Sequence, residues 1–217
     1  MSLFYSSYSP TTLELENPRV LQILEAGERL FSTTGYPYST MENIAAEAEL
    51  SKATLYRYFK SKKEVLLGFL QWKLLTHLQE KDPLPSHCSV KEALLFQATR
   101  IVEWFGSAES RSLSRILIGM GLVHSELATL AYYQLAPLNR HFGLSRIFLR
   151  GIQEGILDIQ DLRLAEKQFV LLCRSPSWFR SVFLSEEQDK EQIQRITQNV
   201  VYIFLSRYAA TQSEPFA

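Results

Sequence analysis

Cysteine is scarce in this sequence. Cys88 and Cys173 are the only two in 217 residues, too few to frame a disulfide-stapled fold, and no quartet of metal ligands gathers around them. His87 and Cys88 are adjacent, a weak ligand pairing that reads more simply as linker. Net charge is absent as well: 23 basic side chains balance 23 acidic ones, without the overall positive excess common in nucleic-acid binders. No uncharged apolar run reaches the roughly 18 residues of a membrane span. The opening MSLFYSSYSP has neither the basic start nor the apolar block of a secretory signal. A soluble cytoplasmic chain is therefore expected. His77, His87, His124 and His141 stand apart, with no partner motif such as G-x-S-x-G, so neither an enzyme nor a cofactor is expected. Alternating β patterns of useful length, internal repeats and low-complexity tracts are missing too.

What is present is helical patterning and a core to match it, since 46% of the residues are apolar. The most informative stretch is Thr40 to Leu67, TMENIAAEAELSKATLYRYFKSKKEVLL. Met41, Ile44, Ala45 and Ala48 recur at steps of three and four and share one helix face. Thr40 stands ahead of them as an N-cap. Ser51 is placed to cap a second short helix, in which Leu55 and Phe59 point the same way. Ser61 and Glu64 form a capping box that starts a third helix. Two short helices joined by a tight turn are a helix-turn-helix, whose second helix enters a DNA major groove. The side chains left outside support this. Lys52, Tyr56, Arg57, Lys60, Lys62 and Lys63 interleave cations with an aromatic hydroxyl, and no acid falls between Leu50 and Lys63. Phosphate neutralisation requires such charge, and Arg and Lys also read guanine edges. A solvated basic face is the plainer alternative.

From Val20 to about Leu70 the chain resembles the DNA-binding domain of the tetracycline-repressor (TetR) family. The matching runs are ILEAGERLFSTTGY (Ile23 to Tyr36), TMENIAAEAELS (Thr40 to Ser51) and KATLYRYFKSKKEVLL (Lys52 to Leu67). One departure stands out. The family usually has Ala-Gly-Val-Ser in the turn, and this chain has Ala48-Glu49-Leu50-Ser51. A turn that favours positive φ would cost Glu49 about 1 kcal/mol relative to glycine. The resemblance implies that Ser51, Lys52, Ala53 and Tyr58 touch bases or nearby phosphates. It also implies that Thr40, Thr54, Tyr56, Arg57 and Lys62 hold the DNA backbone. Leu55 and Phe59 are read as structural.

The rest of the chain is expected to be all-α. Residues 1–16 read as a poorly ordered arm, 17–67 as a three-helix DNA-binding domain, 68–210 as a helical effector-binding and dimerisation domain, and 211–217 as a tail. Asn17-Pro18 starts the first helix, and Asp82-Pro83-Leu84-Pro85 marks a break. Ser89 with Glu92 forms another capping box, Asp161 caps a later helix that Pro176 should kink or interrupt, and Ser185 begins the last one. The last two helices have wide apolar faces that a single chain half-buries, so a second copy would complete a four-helix interface. The resemblance implies the same homodimer. Trp72, Trp104, Phe105, Met120, Tyr132, Tyr133, Phe142 and Cys173 are candidates to line an apolar effector pocket. Aromatic and methionine positions at helical spacing are also ordinary core.

The function expected from these features is that of a ligand-responsive transcription regulator. Repression is the favoured mode: a homodimer holds a palindromic double-stranded operator until a small apolar effector releases it. An architectural DNA-binding protein with little sequence preference is the alternative.

Overall fold

The computed structural model describes residues 17–78, 87–121, 124–127, 129 and 143–210. The expected arm at 1–16, the break at 82–85, Tyr132, Tyr133, Phe142 and the tail at 211–217 lie outside the described residues. Nine helices are named here: α1 (Pro18–Leu30), α2 (Met41–Glu47), α3 (Lys52–Tyr58), α4 (Lys62–Leu78), α5 (Val90–Gly106), α6 (Ala108–Gly121), α7 (Leu144–Gln153), α8 (Leu162–Phe179) and α9 (Lys190–Tyr208). Among the described residues no strand occurs beyond one isolated bridge, Leu157 with Ala209.

The chain divides into two compact units, one of Met1–Gln79 with Ser112–Ala136 and one of Glu80–Arg111 with Pro137–Ala217. In the first unit, the apolar stripe of α1 (Val20, Ile23, Leu24) packs with Ile44 of α2, Leu55 of α3, and Leu66, Phe69 and Leu70 of α4. Fully burying each large side chain contributes about 2 kcal/mol. The helices approach closely. A Cβ on Gly27 would meet Val65 Cγ1 at 2.8 Å, so α1 and α4 can pack this way only where α1 has no side chain. Leu113, Ile116 and Met120 of α6 belong to the same core. Packing therefore groups α4 and most of α6 with the helix-turn-helix rather than with the chain beyond it.

α1 leaves through a wide π turn, Phe31–Gly35, and a short tight helix, Tyr36–Tyr38. Gly35 has φ 90, a value that costs glycine little and other residues much. Tyr36 is buried; its ring meets Phe31 at 5.3 Å and His124 edge-on at 5.6 Å.

The second unit is built around three phenylalanines from three helices. Phe148 of α7 stacks on Phe204 of α9 with ring centres 4.9 Å apart, and Phe169 of α8 stands edge-on to Phe204 at 5.0 Å, an arrangement the ring quadrupole favours. α5 packs against them with Ala98, Ile101 and Val102. Gly151 lets Leu157 fold back on α7, where an added Cβ would meet Leu157 Cδ1 at 2.5 Å.

The helix boundaries follow local side-chain chemistry. Asn17 caps α1, Ser89 and Glu92 form the capping box of α5, and Asp161 Oδ1 accepts from Leu164 N at 3.0 Å at the start of α8. Two details differ from expectation. α8 runs through Pro176 to Phe179 without interruption, and the irregularity follows it as a π turn, Arg180–Leu184. The last helix starts at Asp189 rather than Ser185, because Asp189 Oδ1 accepts from Gln192 N at 2.8 Å while Ser185 is left-handed at φ 57.

Candidate nucleic-acid interface

The helix-turn-helix is assembled by its caps. Thr40 Oγ1 accepts from Asn43 N at 3.1 Å, and Asn43 Oδ1 accepts from Thr40 N at 3.2 Å. This reciprocal box satisfies two orphan donors of α2. At the other end Glu49 N donates to Ala46 O at 3.0 Å and Leu50 N to Ala45 O at 2.9 Å. That pairing is a Schellman closure, which needs a left-handed residue after the cap. The residue is Glu49, with φ 52, so this turn takes up the left-handed geometry that suits glycine with a side chain present. Gln22 of α1 ties the turn down by donating Nε2 to Ala48 O at 2.6 Å. Ser51 then caps α3: its Oγ accepts from Thr54 N at 3.1 Å and lies 2.9 Å from Thr54 Oγ1.

α3 is held from one side. Leu55 and Phe59 are completely buried, whereas Ser51, Lys52, Ala53, Tyr56 and Arg57 are exposed and Thr54 and Tyr58 half-buried. The Arg57 guanidinium sits 5.1 Å from the Tyr58 ring centre, and its Nη2 is 3.5 Å from the Tyr58 hydroxyl. The two side chains therefore present one planar cation and one phenol side by side. Lys52 Nζ is tethered to Glu42 Oε1 at 3.0 Å. The Lys52 hydrogen bond, followed by backbone bonding and the Lys52 charge, holds the Glu42 carboxyl below its ordinary value.

Lys62 is placed differently from its expected companions. Its Nζ donates to Tyr36 O at 2.6 Å, Ser39 O at 2.8 Å and Pro37 O at 3.3 Å, and lies 4.4 Å from the Tyr36 ring centre. Burial lowers its pKa. Its ammonium is committed to the loop between α1 and α2, so it is a clamp on that loop and not part of the exposed cationic face. Spacing along α4 could not show this, because the acceptors come from 23 to 26 residues earlier. Glu42 and Gln22 were not among the residues selected from sequence. The signal for Glu42 was weak: an acid in the first turn of α2, with a lysine in the next helix.

The described residues among the expected effector set divide between the two units. Trp72, with the Lys73 ammonium 4.6 Å from its ring centre, and fully buried Met120 belong to the first unit. Trp104, Phe105 and the completely buried Cys173 belong to the second. Burial raises the Cys173 thiol far above its ordinary pKa, which leaves it unreactive. Among the described residues, the second unit has an open groove of about 910 Å³ between α8 and α9. Leu171, Phe179, Ile203 and Phe204 line it, and Trp104, Phe105 and Cys173 do not.

Known proteins carry the same organisation. The family of bacterial regulatory proteins, tetR family, matches residues 23–68, and the AefR-like transcriptional repressor C-terminal domain matches residues 92–210. YhgD, an HTH-type transcriptional regulator of Bacillus subtilis (strain 168), is 30% identical over 140 residues, covering 62% of this chain and 67% of the relative. YdeS, another HTH-type regulator of that organism, is 24% identical over 178 residues, 82% of this chain and 85% of the relative. Among solved structures, the flavonoid-responsive regulator FrrA superposes with a TM-score of 0.73 at 24% identity, covering 90% of this chain and 98% of its own. The regulator FadR from Bacillus subtilis, solved in complex with stearoyl-CoA, gives 0.67 at 20% identity over 86% of this chain and 97% of its own. At such identities these structures speak for the fold alone. The relatives are regulators, not enzymes, and among the described residues no helix is long and apolar enough to cross a membrane. With both halves of its length matched, the chain belongs to the TetR family of bacterial transcription regulators.

Proposed function

We propose that this regulator docks α3 in the major groove of a palindromic operator, acts as a homodimer joined through α8 and α9, and represses until a small apolar effector releases it. The observation that carries the reading is the division of α3. Leu55 and Phe59 anchor it completely, and Lys52, Ala53, Tyr56 and Arg57 stay exposed on its remaining faces. Ser51, Lys52, Ala53 and Tyr58 are the proposed readers of bases and adjacent phosphates, with Ala53 small enough to approach a thymine methyl. Thr40, Thr54, Tyr56 and Arg57 are the proposed backbone contacts. Lys62 is withdrawn from that set by its three carbonyl bonds.

Support for the dimer is the apolar surface on the two last helices. Leu164, Leu171 and Phe179 of α8 and Tyr202 and Ile203 of α9 are all exposed. A second copy covering them would bury apolar surface, and a palindromic operator calls for two α3 helices about one DNA turn apart, ~34 Å. For the effector, the relative solved with stearoyl-CoA makes long-chain acyl thioesters the first class to screen.

Selection of bound sequences from a random DNA pool with the purified chain tests the reading. A palindromic consensus is expected. Tight, salt-sensitive binding with no consensus would replace it with an architectural role, and an operator affinity indifferent to every apolar ligand screened would remove the effector.

A further inference from the structure

Half of the cations in residues 17–78 are spent internally. Arg29 pairs with Glu47 at 2.6 Å, Lys52 with Glu42 at 3.0 Å and Lys73 with Glu28 at 2.9 Å, while Lys62 is held by carbonyls. Within residues 17–78, the cations with neither a carboxylate partner nor such a carbonyl cage among the described residues are Arg19, Arg57, Lys60 and Lys63. Arg57 belongs to α3, Lys60 to the link after it and Lys63 to the first turn of α4. Arg19 belongs to α1, and its placement needs its own explanation.

Arg19 is the second residue of α1, whose first turn contains no acid. A helix N-terminus carries partial positive charge from its unpaired N–H groups, and a cation placed there is repelled. The guanidinium is exposed, so neither burial nor an ion pair compensates. It is nonetheless fixed. Arg19 Nη1 donates to Gln22 Oε1 at 2.9 Å, and Gln22 Nε2 donates to Ala48 O at 2.6 Å. Through one half-buried glutamine the guanidinium is coupled to the turn that ends three residues later at Ser51, the cap of α3. A free surface arginine would wander through many rotamers. This one is held in register with the turn before α3, against its own helix dipole.

We propose that Arg19 is a DNA-backbone contact: a phosphate ligand supplied by the first helix, outside the helix-turn-helix, and positioned by Gln22. The proposal rests on the DNA-binding reading of α3. One N–H of the planar fork is used on Gln22, and the rest remain available for phosphate oxygens, which suit that geometry. The anion also removes the mismatch between the cation and the α1 dipole, so bound DNA neutralises both at once.

The test is equilibrium binding of the full chain to a random-sequence duplex over a range of salt concentrations, which reads phosphate contacts without needing the operator. Arg19→Ala is expected to flatten the slope of log K against log salt by about 0.9 per subunit with an unchanged or raised thermal midpoint. Arg19→Lys is expected to keep the slope, with affinity reduced several-fold as the fork geometry is lost. An unaltered slope in Arg19→Ala overturns the proposal while leaving α3 as the DNA reader. A lowered midpoint with an unaltered slope makes Arg19 structural and overturns it as well. A wild-type chain with no salt-dependent binding overturns the DNA-binding reading and this one with it.

Discussion

The Lys62 ammonium lies 2.6 Å from the carbonyl oxygen of Tyr36 and 4.4 Å from the centre of the same residue's ring. With Pro37 O and Ser39 O completing the set, the three N–H donors of the side chain have three acceptors. All three lie in the connection between α1 and α2, around the short Tyr36–Tyr38 turn. Lys62→Met keeps the aliphatic stem and removes the charge. It is expected to destabilise the fold by about 2 kcal/mol, the usual scale for hydrogen bonds to a charged group, as read from a urea midpoint. Its effect on DNA binding should track that loss, with the salt slope of the folded fraction unchanged. Intact stability with a flattened slope would return Lys62 to the phosphate contacts.

Glu49 offers the opposite outcome. Its φ of 52 is demanded by the closing bonds of α2, Glu49 N to Ala46 O and Leu50 N to Ala45 O. An L side chain in that conformation is disfavoured by about 1 kcal/mol, and its carboxylate has no ion-pair partner among the described residues. Glu49→Gly is therefore expected to raise stability by about 1 kcal/mol, reduced somewhat by the greater freedom of the unfolded chain. The denaturant midpoint should move up at constant m. A midpoint that falls would mean the Glu49 side chain has a stabilising contact that outweighs its backbone strain.

What could be read in the sequence divides along the same line between local and distant interactions. Thr40, Ser51, Ser89 and Asp161 were legible as caps because a cap and its N–H partner lie within three residues. Leu55 and Phe59 were legible as anchors because helical spacing alone aligns them. The commitment of Lys62 to Tyr36 was hidden, since no local pattern links residues 26 apart. Met120 and Cys173 were named together as candidate pocket lining, but spacing does not say which core a residue enters: Met120 joins that of the first unit and Cys173 that of the second. The start of α9 was misjudged for a related reason. Ser185 and Asp189 are both good caps, and only the backbone path, with Ser185 left-handed, selects Asp189. Pro176 was expected to kink or interrupt α8; the helix is not interrupted there, and the π turn comes later.

The capping box of α5 makes folding stability sensitive to acid. Ser89 N and Ser89 Oγ each donate to Glu92 Oε2 at 2.8 Å. The backbone bond first, and the hydroxyl second, hold the Glu92 carboxyl below its ordinary 4.5. A carboxylate depressed in the folded state adds stability above its unfolded value, and that stability disappears as the pH falls through the folded value. Glu92→Gln should thus be less stable than wild type at neutral pH, and the gap should close as the pH drops below 4.5. Urea melts at several pH values measure it. A gap that stays constant with pH would assign the loss to something other than ionisation.

The apolar surface of α8 and α9 carries the prediction on assembly. Leu171 is 57% exposed and Ile203 43%, and both line the groove between the two helices. Glutamate is compatible with an exposed helix position, so Leu171→Glu or Ile203→Glu should change the stability of an isolated chain by less than about 0.5 kcal/mol. In the proposed dimer the same carboxylate would be buried against a second copy without a partner, a cost of several kcal/mol. Sedimentation equilibrium is expected to show the dissociation constant rising by about a hundredfold or more, with helix content unchanged. Binding to a palindromic duplex should fall with it, because a lone subunit engages one half-site. A variant that sediments as wild type would move the interface away from these helices, and one that loses its helix content would make Leu171 or Ile203 part of the subunit core.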